Sequence, residues 1–299
     1  MLKNRTFMIA AGFALIAVIC WSGNWVLGRA IRSEIPPIGL SFWRWVTATV
    51  ILLPVGLRAG KAEWKAAFAK WYVVMGLALF GASLFQTMIY IGLRSTEATN
   101  ALLLNSTAPL FVILFAWLAL GTRPNSRQML GIAVSFIGVS VLVGRGDVNR
   151  LLAMRFNAGD IWVMSAIVIW GAYSVLLKFK PAGVSPMMLV FLTSLCGALI
   201  LLPVYIWDVS LGHVVHINKA NIGSIFYTGL FASVVAFLAY NAAVERIGPN
   251  KTIYFLHLMP VSGAILSFIF LDEQLAMYHV IGFAIVLSGV LYATTGRAE

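Results

Sequence analysis

Apolar and polar residues alternate along this chain in long blocks rather than at short intervals. Apolar segments of roughly 18–24 residues fall at about 7–28, 37–57, 71–93, 98–120, 127–144, 158–179, 186–206, 221–243, 251–271 and 276–295. At a rise of about 1.5 Å per residue, each is long enough to cross a hydrocarbon core about 30 Å thick as a helix. No gap between them is long enough for a soluble domain. The pattern predicts an all-α integral membrane protein with ten transmembrane helices. Lys3 and Arg5 precede the first segment as in a secretory leader. That segment continues through Trp21 and Trp25 with no A-x-A-like cleavage site, so it reads as a retained span.

Composition agrees with lipid as the main solvent. Of 299 residues, 61% are hydrophobic and 10% charged, against about 25% charged in a soluble domain. A formal charge of +11, from 21 Lys/Arg and 10 Asp/Glu, would point to nucleic acid in a soluble protein. Here the basic residues lie in the gaps between spans, where they set orientation, and no nucleic-acid partner is expected. Ten spans put both termini on one side. With cytoplasmic termini and Arg44 set aside, the inner segments hold 13 Lys/Arg and the outer ones 7, which predicts that orientation. Cys20 and Cys196 both lie inside apolar runs and read as small hydrophobes rather than a disulfide.

The chain repeats itself. Residues 7–57 align without gaps onto 156–206 at an offset of 149, with 13 of 51 positions identical, including Trp21 with Trp170, Pro37 with Pro186 and "ILLPV" at 51–55 with 200–204. An offset of 151 later pairs Pro109 with Pro260, Gly131 with Gly282 and Gly138 with Gly289. A five-span unit, 1–147, is thus followed by its copy, 148–299, within one membrane domain. Because five is odd, the copy enters the membrane from the opposite side. The two units form inverted repeats, a design that permits alternating access.

The early tryptophan of each unit ("CWSGNWVLGRAI" and "IWGAYSVLLKF"), Pro109, Pro260 and "FLDEQLAMYHVIGFAIVLSGVLY" resemble the drug/metabolite transporter superfamily, specifically its ten-span EamA-type members. Within it, the chain is most similar to bacterial inner-membrane exporters of amino acids, aromatic ones included. The resemblance implies export of amino acids or related small metabolites from a central cavity shared by both halves, with no cofactor and no metal. It also implies acids closing the fourth and ninth spans. Glu273 is present, but Thr122 occupies the matching place in the first half. A multidrug or cation efflux carrier of the same fold is the alternative substrate class.

Polar and aromatic residues at helical spacing mark the faces where a substrate would sit. They are Trp21 and Asn24 in the first span, Gln86 and Tyr90 in the third, Trp170 and Tyr173 in the sixth, Tyr240 and Asn241 in the eighth, and His257 in the ninth. The fourth carries Asn100, Asn105, Ser106 and Thr107 ahead of Pro109. Pro109 and Pro260 are expected to bend their spans and free carbonyls at matching places in the two halves. Gly131, Ser135 and Gly138, with Gly282 and Gly289, allow close helix approach either within one chain or between copies, so a monomer or a weak homodimer is expected.

All ten acidic residues lie in gaps or near span ends, with Asp160 the deepest. Ion-coupled carriers usually hold a carboxylate near mid-membrane, so transport is expected to be uncoupled, or coupled only through an atypical group such as His257. An intramembrane enzyme is disfavoured: Asp147 of "GRGD" (144–147) falls beyond its span without a second aspartate, and neither HExxH nor GxSxG is present. A pore is the other rival. Arg44, between Trp43 and Trp45, is the single arginine inside a span, and its repeat equivalent is Thr193. It is expected in the outer third of the second span, in a structural or gating role, either snorkelling to headgroups or binding helix-end carbonyls, with direct attraction of a substrate carboxylate as the alternative.

Overall fold

The computed structural model describes residues 2–31, 33–96, 98–155, 157–271 and 276–294. Among these, nine helices are long and apolar enough to cross a membrane: Arg5–Gly28, Pro37–Arg58, Trp71–Ser95, Leu103–Leu120, Ser126–Val143, Ala158–Phe179, Pro186–Ser210, Lys219–Ile247 and Met277–Thr294. The ninth expected span is absent from that series because it is divided into a turn of helix at Pro249–Thr252, a 3₁₀ segment at Ile253–Leu258 and a helix at Met259–Leu271. With it the fold has ten spans in two inverted sets of five. A short helix at Lys61–Ala69, not expected from hydropathy, lies between the second and third spans. Its Glu63 carboxylate accepts the Ser185 N–H at 2.7 Å, at the start of the seventh span.

The main helix pairings join one half to the other. The first span packs chiefly against the eighth, and the sixth, its repeat mate, against the third. The second packs on the seventh and the fifth on the tenth, each against its own equivalent. The fourth lies along the sixth and the ninth along the first. The two repeat units are therefore interleaved. The outer surface remains apolar, with Leu57, Leu118, Ile137, Ile161, Leu199 and Ile206 exposed as lipid contact requires.

The glycine stripes serve the seam between the fifth and tenth spans, within one chain. A Cβ added at Gly289 would sit 2.6 Å from the Ser135 nitrogen and 2.7 Å from the Gly131 oxygen. One at Gly138 would sit 2.7 Å from the Val286 nitrogen. These neighbours are backbone atoms, which cannot step aside as a flexible side chain can. Ser135 adds a hydroxyl bond to the Val286 carbonyl at 3.4 Å. Gly289→Val should therefore lower stability by about 1–3 kcal/mol through overpacking, seen as a lower unfolding temperature in detergent. Gly12→Val, where nothing lies within 4 Å of an added Cβ, should leave it unchanged.

Candidate functional site

The third and eighth spans share a local irregularity. Each contains a π-helical segment, Ala78–Leu84 in one and Thr228–Val235 in the other. A π turn shifts the hydrogen-bond ladder by one residue and leaves carbonyls for side chains to claim. The Ala232 carbonyl is claimed twice, by the Trp21 indole N–H at 3.0 Å and by Arg44 Nη2 at 2.8 Å. Ser233 donates to the Thr228 carbonyl at 2.9 Å and accepts Arg44 Nε at 2.5 Å. In the third span, Ser83 likewise reaches the carbonyl five residues back, Ala78, at 3.4 Å, and also that of Gly197 in the seventh at 3.2 Å.

Arg44 is fully buried (0% exposed). Beyond Ala232 and Ser233, its Nη1 donates to the Tyr90 hydroxyl at 3.2 Å, and Tyr90 donates on to Asn24 Oδ1 at 2.8 Å. The guanidinium lies 5.1 Å from the Trp45 ring. Trp43 is exposed and donates to the Tyr205 hydroxyl at 3.0 Å. Neither snorkelling nor a helix-end carbonyl describes Arg44, because the mid-span carbonyl opened by the π segment is a nearer acceptor than any headgroup.

Beside this network, rings from both halves fill the centre of the bundle. Trp21 meets Trp170 edge-on at 5.1 Å, and Trp170 stacks on Tyr173 at 5.0 Å. Tyr240 lies 5.0 Å from Trp170 and 5.3 Å from Trp21, with Phe237 and Phe85 closing the cluster. Tyr173 donates to Asn241 Oδ1 at 2.9 Å, and the Ser174 and Tyr240 hydroxyls are 2.9 Å apart. Trp21, Trp170, Tyr173 and Tyr240 are thus brought together, packed on one another. At one end, a pocket of about 160 Å³ lies among Leu177, Lys178, Lys180, Leu189, Asn241 and Glu245, Asn241 being the residue that accepts from Tyr173. Near the other end, a cleft of about 620 Å³ opens sideways between the first, eighth and ninth spans, beside Gly23, Tyr227 and Leu266.

The broken spans meet. The fourth is interrupted at Ser106–Thr107 between helices Ala98–Asn105 and Ala108–Leu120. Pro109 removes the N–H that the Asn105 carbonyl would meet, and the Leu110 N–H, the α-helical donor for Ser106, bonds the Thr107 carbonyl at 2.9 Å instead. His257 Nε2, from the 3₁₀ segment of the ninth span ahead of Pro260, donates to the Ser106 carbonyl at 2.9 Å. Asn105 approaches the Met259 sulfur at 3.7 Å across the same junction. His257 therefore joins the two breaks to each other.

Gln86 is buried one turn before Tyr90 on the same span, with its amide N–H₂ unpartnered. Glu273 and the side chain of Asn100 lie outside the described residues. Sequence reasoning placed Ser233 on a candidate cavity face but left Ala232, Trp45 and Phe85 out of the site. Ser83 and Ser233, 150 apart, were the available signal for the π segments. Asp160 caps the sixth span, accepting the Thr96 hydroxyl and the Asn157 N–H. Asp147 caps the short helix Val148–Leu152. Among the described residues, no three His, Cys, Asp or Glu side chains gather as a metal site.

Two inverted, interleaved five-helix units around a shared buried centre define a multi-pass membrane transporter. The EamA-like transporter family model matches residues 8–144 and again 157–295, and the chain belongs to that family. It is 27% identical to the uncharacterized transporter YyaM of Bacillus subtilis, over 86% of this chain and 84% of that one. It is 26% identical to a probable terminal-alkyne amino-acid exporter of Streptantibioticus cattleyicolor, over 93% and 90%. A riboflavin transporter of Brucella anthropi is 30% identical over 64% and 65%. A crystal structure superimposes with a TM-score of 0.75 at 20% identity, covering 95% of this chain and 96% of the other.

His257→Ala should strand the buried Ser106 carbonyl and cost about 1–3 kcal/mol. The measurement is thermal unfolding in detergent, with exposed His216→Ala expected to unfold as wild type.

Proposed function

We propose that the protein exports amino acids, aromatic and other neutral ones, or similar small metabolites across the bacterial inner membrane by alternating access. The observation that carries this reading is the buried aromatic cluster contributed by both halves and flanked by polar pairs. Flat rings suit stacking with aromatic or apolar solutes of modest size. Their packing against one another fits a carrier between its open forms, in which the rings part to admit a solute. The relative named for an amino acid adds support, and the one named for riboflavin keeps other small metabolites within reach. Trp21, Asn24, Gln86, Tyr90, Trp170, Tyr173, Tyr240, Asn241 and His257 remain the substrate-path residues in this reading, with His257, Pro109 and Pro260 shaping the broken spans.

Transport runs down the substrate gradient. Every acid sits at a span end or in a gap, and Asp160 is engaged as a helix cap, so no mid-membrane carboxylate is present to carry a coupling ion. Both termini face the cytoplasm, following the 13-to-7 excess of basic residues. The fifth–tenth seam uses the glycine stripes internally, which supports a monomer. A carrier, rather than an enzyme, accounts for all these features.

The protein in proteoliposomes should show saturable counterflow of phenylalanine that persists when the pH gradient is collapsed. Uptake that requires an imposed pH gradient would refute uncoupled transport. Preference for cationic drugs over every amino acid in the same assay would select the efflux alternative. Trp170→Ala should weaken phenylalanine transport by up to about tenfold, the equivalent of about 0.5–1.5 kcal/mol of ring stacking.

A further inference from the structure

We propose that Arg44, with Asn24 and Gln86, forms a subsite that holds the carboxylate of the transported solute. This rests on the export reading above and names the group that the site recognises. The argument is a count of donors. A guanidinium carries five N–H groups and no acceptor. Three are used, by Ser233, Tyr90 and the Ala232 carbonyl, which leaves one N–H on each Nη. All three acceptors are neutral. Among the described residues no carboxylate is paired with Arg44, although it is buried out of reach of solvent.

The neighbouring amides add to the same imbalance. Tyr90 accepts from Arg44, so its own proton goes to Asn24 Oδ1. That fixes the Asn24 amide and leaves Nδ2 without an acceptor. Gln86 Nε2, one helical turn before Tyr90, is likewise unpartnered. Asn24 and Gln86 are 1% and 2% exposed, so bulk solvent does not reach them. Buried polar groups normally find partners. A cation with two spare N–H groups beside two orphan amide donors has the chemistry of a site for an anion with two acceptor oxygens.

Position supports the assignment. Arg44 and Trp21 share the Ala232 carbonyl, and Trp45, beside the guanidinium, meets Phe237 at 5.3 Å. A solute anchored by its carboxylate at Arg44 would direct its side chain into the ring cluster. Among the described residues no acid faces this subsite to match an ammonium group, so the subsite reads the carboxylate alone.

Competition against labelled phenylalanine in wild-type proteoliposomes tests this directly. Phenylpropanoate, which lacks the ammonium, should compete about as well as phenylalanine. Phenylalaninamide, which lacks the carboxylate, should compete at least about tenfold less well, because the buried donors are then left unpaired. Arg44→Gln should bring the two competitors towards parity, and Arg44→Lys should restore part of the difference. Should Arg44→Gln fail to fold, Gln86→Leu and ligand-induced thermal stabilisation of the wild type in detergent carry the test. Equal competition by phenylalaninamide in the wild type would overturn the subsite, as would an unchanged ratio in Arg44→Gln or Gln86→Leu, or the absence of stabilisation by any carboxylate. Stabilisation by phenylpropanoate without phenylalanine transport would instead sink amino acid export and leave the subsite standing.

Discussion

A backbone carbonyl that leaves its helical ladder inside hydrocarbon has no water to turn to, and this constraint organises the molecule. Irregular backbone is tolerated at membrane depth only where protein satisfies it. Among the described residues, and apart from the 3₁₀ turn Leu177–Phe179 at the end of the sixth span, the spans depart from regular helix at four places: the π segments of the third and eighth spans and the breaks in the fourth and ninth. In three of these places the described partner comes from the opposite half. Trp21 and Arg44 reach Ala232, Ser83 reaches Gly197, and His257 reaches Ser106. Irregularity in one repeat is thus stabilised by side chains or backbone of the other, which is why the halves are interleaved.

That arrangement limits how the molecule can move. The fifth and tenth spans touch backbone to backbone, so their seam has little room to slide. The second and seventh spans pair on their own equivalents, as elements on a pseudo-two-fold axis must. The remaining pairs, first with eighth and sixth with third, carry the π segments and the ring cluster. In the proposed alternating access, motion that opens one end and closes the other would be least costly there, since π turns and aromatic edges can exchange partners without breaking a tight glycine seam.

The spans, the repeat and the proline breaks were legible in the sequence because each leaves a mark on hydropathy or on residue type. Trp21 and Trp170 stood out as aligned tryptophans deep within their spans, and they meet in the structure. A π turn leaves no such mark, because one extra residue in a helix does not alter an apolar run. The short helix at Lys61–Ala69 was missed because its polar residues resemble an ordinary connecting loop. Arg44 was conspicuous, but Ser233 lies 189 residues further along the chain, and no local pattern joins them. The glycine stripes were visible while their partner was not: small-xxx-small spacing is the same within a chain as between chains.

The asymmetry at Arg44 separates what the repeat built from what the site added. Thr193, its equivalent, is held by its own helix, donating to the Leu189 and Val190 carbonyls. The second half therefore satisfies its matching region with neutral groups, through Ser83 and the Gly197 carbonyl. A perfectly symmetric pair of halves would offer a solute two equal environments and no preferred orientation. In the proposed subsite, a single buried cation on one side of an otherwise balanced aromatic centre would make the two ends of a solute unequal. The duplication thus supplies interleaved halves and matched irregularities, and the one unduplicated charge supplies polarity within them.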